Sequence, residues 1–162
     1  GDVPSSNMGI PFAMLLNLAS VSSAQDKDML WGFIQRYAPD TSPETNPDMD
    51  QAAGFAVRYF QDFVAPTRTY RAATDTESEA LQELRDQLAS YDGEINDEDL
   101  QSVVYAVGRD RFAPLRDWFK AIYEVLLGAS QGPRFGGFIA LYGVDETIAL
   151  IDDALAGKLT QS

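Results

Sequence analysis

The side chains here that could do chemistry are carboxylates, guanidinium and ammonium groups, and phenols, because the chain has no histidine and no cysteine. Disulfides cannot form and the usual zinc ligands are missing. Neither a Ser-His nor a Cys-His nucleophile can be assembled. Carboxylates alone remain for acid–base work, which needs two of them in one pocket with separated pKa values. The acids instead sit where helices begin. Asp97, Glu98 and Asp99 follow Asn96 in a first helical turn, where the helix dipole favours anions. Glu77, Glu79 and Glu83 have the same explanation. No catalytic residue and no metal ligand is assigned, and a small carboxylate hydrolase stays open only if folding pairs two acids in a cleft.

The cations are more informative. The net charge is −13, which argues against general nucleic-acid binding. Its distribution is uneven. Between Thr74 and Leu100 ten carboxylates face one cation, Arg85, for a net −9. Between Arg109 and Arg134 the cations Arg109, Arg111, Arg116, Lys120 and Arg134 outnumber Asp110, Asp117 and Glu124, for a net +2. Screening acts over about 8 Å at physiological salt, so a cationic patch can work on an acidic body. The same segregation also follows if the charges simply mark solvated helix faces.

The stretch Gly132-Pro-Arg-Phe-Gly-Gly137 is not a nucleotidase-type phosphate loop, since no Lys-Ser/Thr follows and no strand precedes it. A helix starting after it could still offer backbone N–H groups to a phosphate, with Arg134 alongside. Arg134 and Phe135 admit two readings. The guanidinium can grip a phosphate or a base edge while the ring stacks an unpaired base; or the ring packs inside and Arg134 pairs with an acid. Tyr70, between Arg68 and Arg71 in an irregular segment, is open to both roles. Trp118 lies mid-stripe and is read as core.

These groups are positioned by helices. Apolar residues recur at 3.6-residue spacing almost throughout, and strand-like alternation is not sustained. The pattern predicts an all-α fold of about seven or eight helices in 162 residues. The first runs from about Pro11 to Ser22 with Phe12, Leu15, Leu16 and Ala19 inward. The second starts after Asp26 as N-cap. The third starts at Asn46-Pro47 and continues to about Phe63. Pro66 ends it, and 64–74 is the expected internal boundary. The fourth opens on Thr76 and Glu79 as a capping box. The fifth is capped by Asn96 and ended by Gly108. The sixth, from Pro114, carries a broad stripe through Leu127 and stops at Gly128, with Arg116 and Lys120 sharing the opposite face. The seventh spans roughly Phe135 to Tyr142, and Asp145 caps the eighth. No apolar run is long enough to span a bilayer, and Gly1–Asn7 lacks the features of a signal peptide.

The blocks FVAPTRTYR (Phe63–Arg71), DLQSVVYAVG (Asp99–Gly108) and DWFKAIYEVLLGASQGPRFGGFIALYG (Asp117–Gly143) resemble the C-terminal part of class I lysyl-tRNA synthetases. VPSSNMGIPFAMLLNLASV (Val3–Val21) resembles the stretch after the catalytic domain there. The resemblance implies a helical bundle over residues 1–72, connecting and stem-contacting, followed over 73–162 by an α-helix cage that recognises the anticodon. That family's His-rich signature and Lys-Ser-Lys-Ser-type loop, which bind ATP, are not found in this chain. The resemblance therefore implies no aminoacylation and no cofactor within this stretch, with ATP and lysine–tRNA ligation belonging to an upstream catalytic domain. It implies tRNA(Lys) and that domain as partners, no DNA or membrane partner, and a cytoplasmic setting. Candidate RNA contacts are Arg134, Phe135, Arg116, Lys120, Arg109, Arg111, Arg68, Tyr70 and Arg71. The rival reading is an acidic helical module that docks a basic protein through Asp75–Asp99.

Overall fold

A computed structural model describes residues 10–160. The residues read for a leader, Gly1–Asn7, lie outside them, as does the start of the Val3–Val21 block. The described residues are all helical, with eight α-helices and no strand, and no helix is long and apolar enough to cross a membrane. The chain divides into two compact units, Gly1–Arg68 and Thr69–Ser162.

The first unit holds α1 (Phe12–Ser22), α2 (Lys27–Tyr37) and α3 (Pro47–Tyr59), the last continuing through a π-helical turn, Phe60–Val64. Leu15, Leu18, Ala19, Leu30, Ile34, Met49 and Ala53 form the core. Asp26 caps α2 by accepting from the Met29 N–H. Asp50 ties α3 to α2: it pairs with Lys27 Nζ at 2.7 Å and accepts from Trp31 Nε1 at 3.0 Å. The Lys27 bond, chiefly, holds the Asp50 carboxyl below its ordinary pKa. The expected inward stripe is wrong at one end. Phe12 is exposed and joins Phe55, Tyr59 and Phe63 in a run of contacting rings on the surface. The π turn explains part of this, since an extra residue per turn rotates the positions after Tyr59 off the α-helical stripe.

The second unit is built around α7 (Phe135–Tyr142), buried from Phe135 to Leu141. α5 (Asp97–Arg109) packs on it most extensively, and α8 (Val144–Leu155) follows it; α4 (Asp75–Ala89) lies on α8 and α5, and the π turn Tyr123–Leu127 that continues α6 (Arg116–Ile122) lies on α8. A helix apolar all round needs neighbours on every side. Its glycines set how close they come. A Cβ on Gly136 would lie 2.6 Å from the Asp97 carbonyl oxygen and from Gln101 Cα, so α7 and α5 meet backbone to backbone. Trp118 is buried on Gly108 of α5, stacks on Phe112 and donates to the Val104 carbonyl at 2.9 Å. Gly128 stops the sixth helix at φ 68°. The helix starts at Arg116 rather than Pro114, and α8 starts after Gly143, leaving Asp145 inside the first turn.

The fourth helix uses a different capping box from the expected one. The segment Thr74-Asp-Thr-Glu77-Ser-Glu79 contains the Thr-x-x-Glu pattern twice. The chain uses Thr74 and Glu77, with reciprocal bonds of 3.2 and 2.9 Å. The choice is made from outside the helix. Arg71 holds Glu77 in a bidentate pair at 2.7 and 3.0 Å, and its Nε reaches Glu124 at 2.7 Å. This clamp joins the start of α4 to the π turn after α6. It holds the Glu77 carboxyl below its ordinary 4.5, chiefly through the Arg71 bond, and raises the Arg71 guanidinium, chiefly through Glu77.

Three outcomes follow. A depressed folded pKa means that Glu77 contributes stability fully above its unfolded value, and that this is lost as pH falls through the folded value. Glu77→Gln should cost about 2 kcal/mol near neutral pH, and denaturant unfolding should show the difference from wild type shrinking below pH 4.5. Gly136→Ala should cost about 3 kcal/mol by overpacking. Gly32→Ala, in mid-α2 with open space around it, should instead stabilise by about 0.5–1 kcal/mol; thermal melts read both.

Candidate nucleic-acid interface

The loop from Gly128 to Arg134 is fixed by Tyr123. Gly132 lies flat on the Tyr123 ring, where a Cβ would come within 2.5 Å of it. The Tyr123 hydroxyl donates to the Pro133 carbonyl at 2.8 Å, and burial pushes this phenol above its ordinary pKa. Pro133 is buried, so Arg134 emerges at a set point, as N-cap of α7.

There it divides its role. Its Nε pairs with Asp97 Oδ1 at 2.8 Å, yet the side chain stays 55% exposed. Phe135 turns inward, fully buried and stacked on Phe138. The second of the two sequence readings therefore describes both side chains: the ring is core and the guanidinium has an acidic neighbour. The first turn of α7 is also partly used, because the Gly136 N–H donates to Gln101 Oε1 at 2.7 Å.

The other cations fall into two groups. Four of the five N–H donors of Arg71 are bonded within the protein, to Glu77, Glu124 and the Ala72 carbonyl. Arg111 pairs with Glu83 at 2.7 Å. Arg68, in the first unit, donates to the Ser20 carbonyl and hydroxyl at 2.7 and 3.0 Å and lies over the Phe60 ring. Tyr70 packs on Gly128 and is half-buried. By contrast Arg109, Arg116 and Lys120 are exposed and form no ion pair among the described residues.

Those three cations line two pockets of the second unit. The first, about 420 Å³, runs along the outer face of α5 past Glu98, Ser102, Tyr105 and Arg109 to Arg134. The second, about 670 Å³, lies between Arg116, Phe119 and Lys120 of α6 and the Ser130–Gly132 loop. Tyr105 and Phe119 touch, with ring centroids 6.0 Å apart. The first pocket ends on one ring of this pair and the second on the other. The sequence reading missed Tyr105 and left Phe119 in the buried stripe. A signal existed, since Tyr105 is an aromatic at the same helical phase as Glu98, Ser102 and Arg109.

This surface can hold an anion with a flat apolar part. Away from this surface, in the Arg71 clamp, the Glu77 carboxyl is held below its ordinary pKa, opposite to what a general acid requires.

No family profile matches the chain, and no solved structure matches it. It is similar to proteins named lysine–tRNA ligase. The one from Roseobacter denitrificans is 75% identical over 159 residues, which is 98% of this chain and 30% of that protein. Those from Rickettsia felis and Rickettsia akari are 42% and 43% identical, over 96% and 99% of this chain and again 30% of their own length. The chain thus spans about 30% of the length of the curated relatives it matches. Aligned along almost all of its own sequence, at up to three residues in four, it belongs to the lysine–tRNA ligases, as a segment of that family's sequence.

Proposed function

We propose that this chain is the anticodon-recognising part of a class I lysyl-tRNA synthetase. In this reading Thr69–Ser162 is the α-helical cage that takes the tRNA(Lys) anticodon, and the first unit is the connecting piece that meets the stem. Activation of lysine with ATP belongs to a nucleotide-binding domain elsewhere in the full-length ligase, which works in the cytoplasm. The observation that carries the reading is the unequal use of cations. On a chain of net charge −13, the second unit keeps three cations that form no ion pair among the described residues, and all three line two pockets joined by an aromatic pair; Arg58 of the first unit, likewise without one, lines neither. Similarity to lysine–tRNA ligases supplies the chemistry of the partner.

Unpaired loop bases are recognised by stacking and edge hydrogen bonds rather than by bulk charge. The clamp on the tRNA is completed by the rest of the ligase, so this chain alone should bind weakly. At about 150 mM salt a gel shift should give a micromolar or weaker Kd for tRNA(Lys); nanomolar binding would contradict that division. In the full-length ligase, Arg116→Ala with Lys120→Ala should lower charging at least tenfold, at about 1.4 kcal/mol per factor of ten, with lysyl-adenylate formation preserved. Equal loss of both steps would point to a damaged fold. Amide shifts confined to the acidic α4, on titration with a basic protein, would favour the docking module instead.

A further inference from the structure

Tyr105 is unusual for an aromatic on a helix. It is 49% exposed, and its hydroxyl makes no hydrogen bond among the described residues. The inward work of α5 is done by Leu100, Val104, Val107 and Gly108. Yet the Tyr105 ring is not loose, because Phe119 of the neighbouring helix meets it at 6.0 Å and 55°. A ring buttressed on one side and open on the other loses little further freedom on binding. Cations flank the pair. Arg109 is one turn beyond Tyr105 on α5, and Lys120 and Arg116 bracket Phe119 on α6.

We infer that the open face of Tyr105, backed by Phe119, stacks one unpaired base of an RNA loop, with Arg109 and Lys120 taking the phosphates on either side. The inference rests on the RNA-reading role proposed above. It names the platform within it, in place of Phe135, whose ring is buried. Glu98 and Ser102, in the same pocket as Tyr105, face the edge of such a base, where a carboxylate accepts from an exocyclic amine. Stacking tolerates any base, and the edge contacts choose among them.

The test uses the whole 162-residue chain and a fluorescein-labelled RNA hairpin carrying the tRNA(Lys) anticodon loop, titrated by anisotropy at about 50 mM salt and above. Tyr105→Ala and Tyr105→Leu should each weaken binding about five- to hundredfold, with the salt slope unchanged because no charge is removed. Tyr105→Phe should bind as wild type. Arg109→Ala with Lys120→Ala should weaken binding and lower the slope by about 0.7 per phosphate contact. Melting curves should be alike, since position 105 is exposed and Ala and Leu are good helix formers. Leu keeps apolar bulk against Phe119, so wild-type binding by Tyr105→Leu would overturn the platform. Full binding by Tyr105→Ala, with loss in the cation variant, would overturn the platform and leave the RNA role standing. No binding by the wild-type chain in low salt would remove both.

Discussion

The second unit depends on one close approach, where α7 lies on α5 with Gly136 against the backbone of Asp97 and Gln101. Only a residue without a side chain permits this, and the contact sets the rest. It lets a fully apolar helix sit at the centre of a unit formed by residues 69–162. It brings the N-terminus of α7 beside the N-terminus of α5, so Arg134 meets Asp97 and Gln101 meets the Gly136 amide. With α5 seated, Gly108 receives the Trp118 ring, and that seats α6. The contact between Tyr105 and Phe119 is a by-product of this stacking order, since each lies beside a residue already fixed, Val104 and Trp118.

Charge is arranged by the same packing. Carboxylates near helix starts either cap, as at Glu77, or face water, as at Glu98 and Asp99. Arg71, Arg111 and Arg134 are drawn into structural pairs, and the Arg71 clamp shows the strongest form, with one guanidinium serving two helical segments. What remains unpaired is therefore meaningful. In the second unit Arg109, Arg116 and Lys120 lie on outward faces and form no ion pair among the described residues. An anionic protein with a small set of uncommitted cations has little affinity for nucleic acid in general, and a local surface where the charge is concentrated next to rings.

Much of this was legible in the sequence. Eight periodic segments give eight helices, Asp26 and Asn96 cap where a cap is expected, Gly128 stops a helix, and Trp118 is core. Local rules suffice for these, because partner and residue lie within a turn of each other. The pairing of cations was not legible. Arg71 finds Glu124 53 residues away, and Arg134 finds Asp97 37 residues away; no local pattern specifies such partners. The choice between two overlapping Thr-x-x-Glu boxes was lost for the same reason. The site was half legible: the cations stood out by sign, but Tyr105 was passed over, because a single aromatic in phase with Glu98, Ser102 and Arg109 is a fainter mark than a run of charge.

The π turn at Tyr123–Leu127 has a consequence for how such a chain can change length. Before it, Arg116 and Lys120 look outward; within it, Val125 to Leu127 look inward. The widened turn absorbs the phase difference between a ligand-facing stretch and a core-facing one. An α-helix advances about 100° per residue. Losing one residue here would restore a regular helix and swing Glu124 away from Arg71, or the outer face away from the loop. A deletion and a compensating insertion would have to fall within these five positions to be silent. The length of this short segment is held more tightly than its composition.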